Sequence, residues 1–135
     1  VVYLEALRER GMIIQKELIK CGHLSFNSGL SDTIELLDLP EPPDAILADH
    51  GLLSISAYQA IISRGLNIPR EIAIIGFMSD WVSSMSYPRM TFVKQNLKEI
   101  GRKASELLFA HINGDETPKH ITVNARLNIR ESTKK

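Results

Sequence analysis

The chain has 135 residues, of which 44% are hydrophobic and 24% are charged, so it can bury one core but is too short for two. Sixteen basic and sixteen acidic residues give a formal net charge of zero, which excludes an overall positive field of the kind that holds nucleic acid. We therefore expect a single domain that does not bind DNA by itself.

Cysteine and hydropathy patterns exclude two further classes of protein. Cys21 is the only cysteine, which rules out a disulfide framework and favours a reducing, cytoplasmic location. No apolar run approaches the roughly 18 residues needed to span a membrane, and no signal-peptide pattern opens the chain. The sequence predicts a soluble protein with no membrane partner.

The first third of the chain predicts three short elements. Residues 1–10 have a helical pattern that ends at Gly11. Because no capping residue precedes this pattern, the chain is expected to be a piece of a longer protein. Residues 18–20 predict a strand, and residues 28–37 predict a second helix.

Two short apolar runs, residues 45–48 and 72–75, predict the centre of the fold. Neither run alternates with polar residues, which is typical of strands covered on both faces in a parallel sheet. Residues 52–64 between them predict a helix that ends at Gly65, with Leu66 placed for the hydrophobic contact of a Schellman cap. Together with the upstream segments, the predicted order is αβαβαβ and the fold class is α/β with a doubly wound parallel sheet.

The remaining elements follow in order. Residues 80–87 predict a short helix or turn, and residues 91–93 predict a strand. A helix is predicted over residues 96–113, because Asn96 is a good N-cap, a glutamate follows three residues later and an apolar stripe continues along one face. An alternating run at residues 121–129 predicts an edge strand.

Several of these segments, in order and without large gaps, resemble the effector-binding domain of the lactose/galactose-repressor (LacI/GalR) family. The segments that carry the resemblance are Pro43–Ala48, Leu52–Gly65, Ile68–Phe77, Tyr87–Gln95, Ile100–Ala104 and Arg130–Thr133. The last three of these segments correspond to that family's "PPLTTVxQ" crossing strand, its "MGRRAAELL" helix and its "RES" terminus.

The resemblance implies a domain organisation and a set of partners. In that family a helix-turn-helix precedes two lobes of periplasmic-binding-protein type, and a small-molecule effector binds between the lobes. Residues 1–135 would then form a single C-terminal lobe for effector binding and dimerisation, without the helix-turn-helix. The helix at 96–113 would belong to the absent N-terminal lobe. The implied partners are a sugar-like or other metabolite, a second copy of the chain, and an operator reached only through the absent headpiece.

Candidate effector-binding residues follow from the strand ends. Ligands of open α/β sheets bind outside the carboxyl ends of the strands, which selects the residues after the two apolar runs. The resemblance selects the same two ends and adds one position before the second helix and one on the crossing strand. The candidates are Leu24, His50, Phe77, Met78, Ser79 and Gln95.

Two of these positions depart from the family pattern. The family usually has Asn-Asp where this chain has His50-Gly51, and Asp-Asp where it has Met78-Ser79. The change removes carboxylates that would bond sugar hydroxyls or purine nitrogens, and this disfavours a simple hexose. His50 is either a pocket residue or a satisfied histidine at a strand end, and Met78 either contacts the ligand or fills the core.

A surplus of apolar side chains predicts a dimer. The helix at 52–64 carries two apolar stripes about 120° apart, and only one of them can cover the sheet. The second stripe and an apolar cluster in the segment after Phe77 form a patch that by resemblance lies on the family's dimer face. The alternative is that Trp81 folds back on its own lobe. The candidate interface residues are Ile55, Tyr58, Ile62, Trp81, Val82 and Met85.

Catalysis has little support in the sequence. The four histidines lack metal-ligand spacing, no serine lies in a G-x-S-x-G elbow, and no glycine-rich phosphate loop follows either strand. We predict a transcriptional regulator with no catalytic activity, metal or cofactor. The alternatives are a periplasmic-type solute-binding protein for transport or chemotaxis and, third, a flavodoxin-like enzyme.

Overall fold

The structure is a computed structural model that describes residues 2–117 and 119–134. Within these residues, five α-helices and four β-strands alternate along most of the chain, together with two short 3₁₀ segments at Lys16–Leu18 and Glu131–Thr133. The helices and strands are α1 (Val2–Glu9), α2 (Phe26–Leu37), β1 (Ala45–Leu47), α3 (Gly51–Ser63), β2 (Ala73–Phe77), α4 (Asp80–Ser84), β3 (Thr91–Lys94), α5 (Leu97–Ile112) and β4 (Arg126–Asn128).

The four strands form one sheet in the order β1-β2-β3-β4. The first three run parallel to one another, and β4 lies antiparallel to β3 at the edge. The predicted α/β class with a mainly parallel sheet is therefore confirmed. The carboxyl ends of β1, β2 and β3 meet at the same edge of the sheet, which we call the carboxyl edge.

The core lies on one face of this sheet. Strand register places Ile46 beside Ile74 and Gly76 beside Phe92, so these side chains share a face because alternate residues of a strand point the same way. α3 packs on this face through Ala57 and Ile61, which are both buried. We call it the helix-covered face.

The opposite face of β1 differs from the prediction that both faces are covered. Leu47 on that face is 51% exposed, and Ala45 is also exposed. A continuous apolar run indicates that both faces of a strand can be buried. In the described part of the chain, however, only the face of β1 that carries Ile46 is covered.

The end of α3 matches its prediction. Gly65 has a φ of +71°, its N–H donates to Ile62 O at 2.9 Å, and the Leu66 N–H donates to Ile61 O at 3.3 Å. This is the hydrogen-bond pattern of a Schellman cap. Leu66 also packs against the core, as the motif requires.

The strand predicted at residues 18–20 is wrong, and with it the order αβαβαβ. Residues Lys16–Leu18 form a 3₁₀ turn that closes with a hydrogen bond from Ile19 N–H to Lys16 O. A strand exists only through its ladder, and the sheet of the described residues has no strand paired with this segment. Apolar character alone was therefore insufficient to predict a strand.

The other boundaries are close to those predicted. α1 ends at Glu9, one residue before the predicted end of the first helix, and Val1 lies outside the described residues. α2 begins at Phe26, two residues before its predicted start, because the Ser25 side chain caps it by accepting from Ser28 N–H. The predicted strand at 121–129 is reduced to β4, the part that pairs with β3.

The C-terminal segment is fastened to the sheet by Ser132. Its buried hydroxyl donates to Ile74 O at 2.6 Å and accepts from Thr91 N–H at 2.8 Å. Ser132 N–H also donates to Arg89 O. These bonds attach the second 3₁₀ segment to β2 and to the start of β3.

α5 has the predicted bounds but a nearly unpacked surface. Asn96 Oδ1 accepts from Glu99 N–H at 3.2 Å, which confirms the predicted N-cap. None of its residues is buried, and Leu97 and Phe109 are more than half exposed. Its apolar stripe is therefore left without a covering surface among residues 2–117 and 119–134.

Candidate functional site

The carboxyl edge brings together candidates from three strands. His50 follows β1, Met78 and Ser79 follow β2, and Gln95 follows β3. Because β1, β2 and β3 are parallel neighbours, these residues lie along one edge. His50, Ser79 and Gln95 are exposed and Met78 is half-buried, which leaves the edge open to solvent.

The other two candidates are placed differently. Phe77 is the last residue of β2 and is half-buried. Leu24 precedes the Ser25 cap of α2 and is more than half exposed. Both side chains are at least partly exposed to solvent. Among the described residues, no hydrogen bond joins Leu24 to the carboxyl edge.

His50 has a defined role in α3. It is the N-cap residue, and its Nδ1 accepts from Leu52 N–H at 3.2 Å. In a neutral imidazole whose Nδ1 is an acceptor, the proton lies on Nε2. His50 is therefore satisfied by its own helix, in agreement with the second alternative of its prediction, and it presents an exposed N–H donor; its pocket role stays a prediction.

Ser54 fixes the geometry of the carboxyl edge, and sequence reasoning missed it. Its buried hydroxyl donates to His50 O at 2.8 Å and accepts from Phe77 N–H at 3.1 Å. The first turn of α3 is thereby fastened to the end of β2. Gly76 leaves room for this side chain, since a Cβ there would lie 2.4 Å from Ser54 Oγ. A serine within an otherwise apolar helix stripe was the available signal.

Met78 sits between core and edge. Its side chain packs against the hydrophobic core, and its Cε lies 3.0 Å from the position that a Cβ on Gly76 would occupy. The packing agrees with the core alternative of its prediction. Met78 remains partly exposed, and it follows β2 at the carboxyl edge.

Ser79 and Asp80 add polar structure that the sequence did not predict. Ser79 Oγ accepts from Val82 N–H at 3.4 Å and caps α4. The Asp80 carboxylate pairs with Lys94 at the end of β3 and lies 3.6 Å from an Arg130 guanidinium nitrogen. The hydrogen bond from Lys94 holds the pKa of Asp80 below its ordinary value.

We call the six predicted interface residues the apolar patch, and four of their side chains are well exposed. Ile55 and Ile62 on α3 are 40% and 45% exposed, and Trp81 and Met85 are 69% and 65% exposed. The exposure of Trp81 contradicts the alternative in which it folds back on its own lobe. Val82 is half-buried.

Tyr58, the sixth residue of the apolar patch, packs against the core and is hydrogen-bonded to Tyr87. It is half-buried against the core, and its hydroxyl donates to Tyr87 O at 2.9 Å and accepts from Tyr87 N–H at 3.0 Å. Tyr87 is in turn 91% exposed. Sequence reasoning missed Tyr87 as a member of the patch because the contact joins residues 29 positions apart.

In residues 2–117 and 119–134, no group of three or more His, Cys, Asp or Glu side chains is arranged to hold a metal ion. No helix in this part of the chain combines the length and apolar content that crossing a membrane requires.

The fold and the open carboxyl edge define a class of protein. The sequence matches the periplasmic binding protein-like domain family over residues 2–133. The chain belongs to this family. The resemblance seen in the sequence is confirmed.

Curated relatives and solved structures that are similar to this chain include transcriptional regulators, among them one of the LacI family. The HTH-type transcriptional regulator CelR of Thermobifida fusca is 31% identical over 96% of this chain, and catabolite control protein A of Priestia megaterium is 32% identical over 98% of it. A CelR–cellobiose complex superimposes with a TM-score of 0.87 at 32% identity and 96% coverage. A LacI-family regulatory protein from Chloroflexus aggregans gives 0.85 at 37% identity and 96% coverage.

The chain spans only part of each relative. It covers 38% of the Thermobifida protein and 40% of the Priestia protein, and 40% and 47% of the two solved chains. Three of the four are regulators or regulatory proteins by name and the other is a catabolite control protein, so the similarity favours a transcriptional regulator over the transport alternative and gives an enzyme no support.

Proposed function

We propose that this chain is the effector-binding and dimerisation part of a LacI-type transcriptional regulator that acts in the cytoplasm and has no catalytic activity. The observation that carries the proposal is the carboxyl edge, where His50, Met78, Ser79 and Gln95 follow the ends of neighbouring parallel strands in a chain of this family. Ligands of open α/β sheets bind at such an edge.

The proposed mechanism is linkage between two binding events. The effector binds between this lobe and a second lobe, and it prefers one state of closure. A helix-turn-helix outside these residues then binds its operator with a different affinity in each state. α5 supports a two-lobe arrangement, because its apolar stripe is exposed here and would be covered by packing on the second lobe.

The residues at the carboxyl edge restrict the effector. The CelR structure is a complex with cellobiose, so a sugar-type ligand is the starting class. In this chain Met78 and Ser79 provide no carboxylate, and His50 presents an N–H donor. We therefore propose a metabolite that offers an acceptor to His50 and an apolar surface to Met78, in place of a simple hexose.

A ligand screen tests the proposed function. Small metabolites are added one by one to the full-length protein, and its thermal unfolding is recorded. An effector present at 100 times its Kd should stabilise the protein by about 2.7 kcal/mol, because it binds the folded state only. The absence of any stabilising metabolite from a screen that covers mono- and disaccharides, nucleosides and sugar acids would contradict the proposal.

The apolar patch leads to a prediction about assembly. We propose a homodimer in which Ile55, Ile62, Trp81, Met85 and their neighbours pack against the same patch of a second copy, because a two-fold pairing buries a self-complementary surface. Trp81→Ser and Ile55→Ser should each weaken the dimer and shift the protein toward monomer in light scattering at low micromolar concentration.

A matched control separates this surface from general loss of apolar area. Ile13 is 89% exposed and lies outside the patch, so Ile13→Ser should leave the dimer unchanged. If neither patch variant alters the mass of the dimer, the interface lies elsewhere.

A further inference from the structure

A polar cavity of about 800 Å³ lies beside the β3–β4 end of the sheet, next to the first turns of α5. Four cationic and two anionic side chains line it, which gives these groups a net charge of two positive units. They are Lys94, Lys103, Arg126 and Arg130, with Asp80 and Glu99.

Two of the cations face each other across the sheet. Lys94 on β3 is the register partner of Arg126 on β4, so their side chains leave the same face of the antiparallel pair. Like charges directly opposite each other destabilise such a pair. Both residues line the cavity, so the two positive charges that repel each other lie at its wall.

The carboxylates in the lining neutralise only part of this charge. Asp80 pairs with Lys94 and lies 3.6 Å from Arg130, and Glu99 pairs with Arg102 outside the cavity. Arg126 makes no ion pair with any residue that the structure describes. The cross-strand pair is therefore left with an excess positive charge at Arg126.

Neutral hydrogen-bonding groups surround the same space. The side chains of Asn124 and Asn128 line the cavity on either side of Arg126 along the chain. Amide groups donate to and accept from an oxyanion or its ester oxygen, and guanidinium groups bind oxyanions through two parallel hydrogen bonds. The lining thus combines positive charge, guanidinium groups that can donate two parallel hydrogen bonds, and amide groups that can donate or accept.

We propose that this cavity binds the phosphate group of a small metabolite, held by Arg126 together with Lys94 and Arg130. A phosphate monoester carries close to two negative charges at neutral pH, which matches the net charge of the lining. An anion bound there relieves the repulsion between Lys94 and Arg126. The cavity adjoins the β3 end of the carboxyl edge, but none of the proposed effector-binding residues lines it, so the inference does not depend on the proposed function.

Titration of the full-length protein with inorganic phosphate tests the site. Phosphate replaces chloride at constant ionic strength, and binding is measured by calorimetry. We expect saturable binding with a Kd of about 1 mM or tighter, weakened at least about tenfold in Arg126→Gln and largely retained in Arg126→Lys. Arg64→Gln is the control, since Arg64 pairs with Asp38 and does not line the cavity.

Thermal unfolding gives a second readout that a structural role for Arg126 would not produce. Without phosphate, Arg126→Gln should unfold at the same temperature as the wild type or higher, because the repulsion with Lys94 is gone. With phosphate the order should reverse. Wild-type protein that shows no saturable phosphate binding, or an Arg126→Gln variant that binds as well as the wild type, would overturn the proposal.

The chemical class is checked with matched ligands. A hexose phosphate should bind and compete with inorganic phosphate, whereas the unphosphorylated hexose should not displace it. Equal binding of the dicarboxylate succinate would overturn the assignment to phosphate.

Discussion

Gly76→Ala is expected to lower the free energy of unfolding by about 1–3 kcal/mol, since it overpacks a filled site. The new Cβ would lie 2.4 Å from Ser54 Oγ and 2.6 Å from Ser54 Cβ. Ser54 has little freedom to move, because its hydroxyl bonds both His50 O and Phe77 N–H. Either these bonds break or β2 shifts away from α3. Urea unfolding of the wild type and the variant measures the loss.

Gly101→Ala is the matched control for this substitution. Gly101 lies within α5, and beyond its chain neighbours and its own helix backbone a Cβ there would meet no atom within 4 Å. Alanine favours a helix interior over glycine by up to about 1 kcal/mol, so this variant should be as stable as the wild type or more stable. A Gly76→Ala variant with unchanged unfolding would mean that Ser54 does not hold the carboxyl edge as described.

Local patterns predicted most elements of the fold because their causes are local. The apolar runs at β1 and β2 and the Gly65-Leu66 cap each depend on neighbours within a few residues, and all three were predicted correctly. The segment at residues 18–20 has similar apolar character but forms a 3₁₀ turn. Its conformation depends on whether another strand lies alongside, which a pattern within the segment does not report.

The grouping of the candidate residues at one edge of the sheet was predictable, but the contacts that support them were not. The rule that ligands bind at strand ends selected His50 and Met78 without any knowledge of the structure. Ser54 was missed because its two hydrogen bonds join α3 to a strand 23 residues later. The pair of Asp80 with Lys94 was missed for the same reason, since only the sheet register brings α4 beside the end of β3.

The second prediction concerns the effector response of the carboxyl edge. His50→Ser keeps an N-cap side chain for α3 but removes the Nε2–H donor, so folding should change little while the effector loses a hydrogen bond. Met78→Asp places a carboxylate on a half-buried apolar surface and should disfavour the same ligand. Two variants are controls. Met78→Leu keeps the apolar surface, and Arg70→Ser changes a residue that lies before β2, at the opposite edge of the sheet.

The most direct measurement is operator binding by the full-length protein, titrated with the effector found in the screen. Effector should change the operator affinity of the wild type by about 5- to 150-fold, the usual range of such coupling. His50→Ser and Met78→Asp should bind the operator normally without effector but need at least about tenfold more effector for half the response. An effector response that is the same in the wild type and in both variants would contradict an effector site at the carboxyl edge.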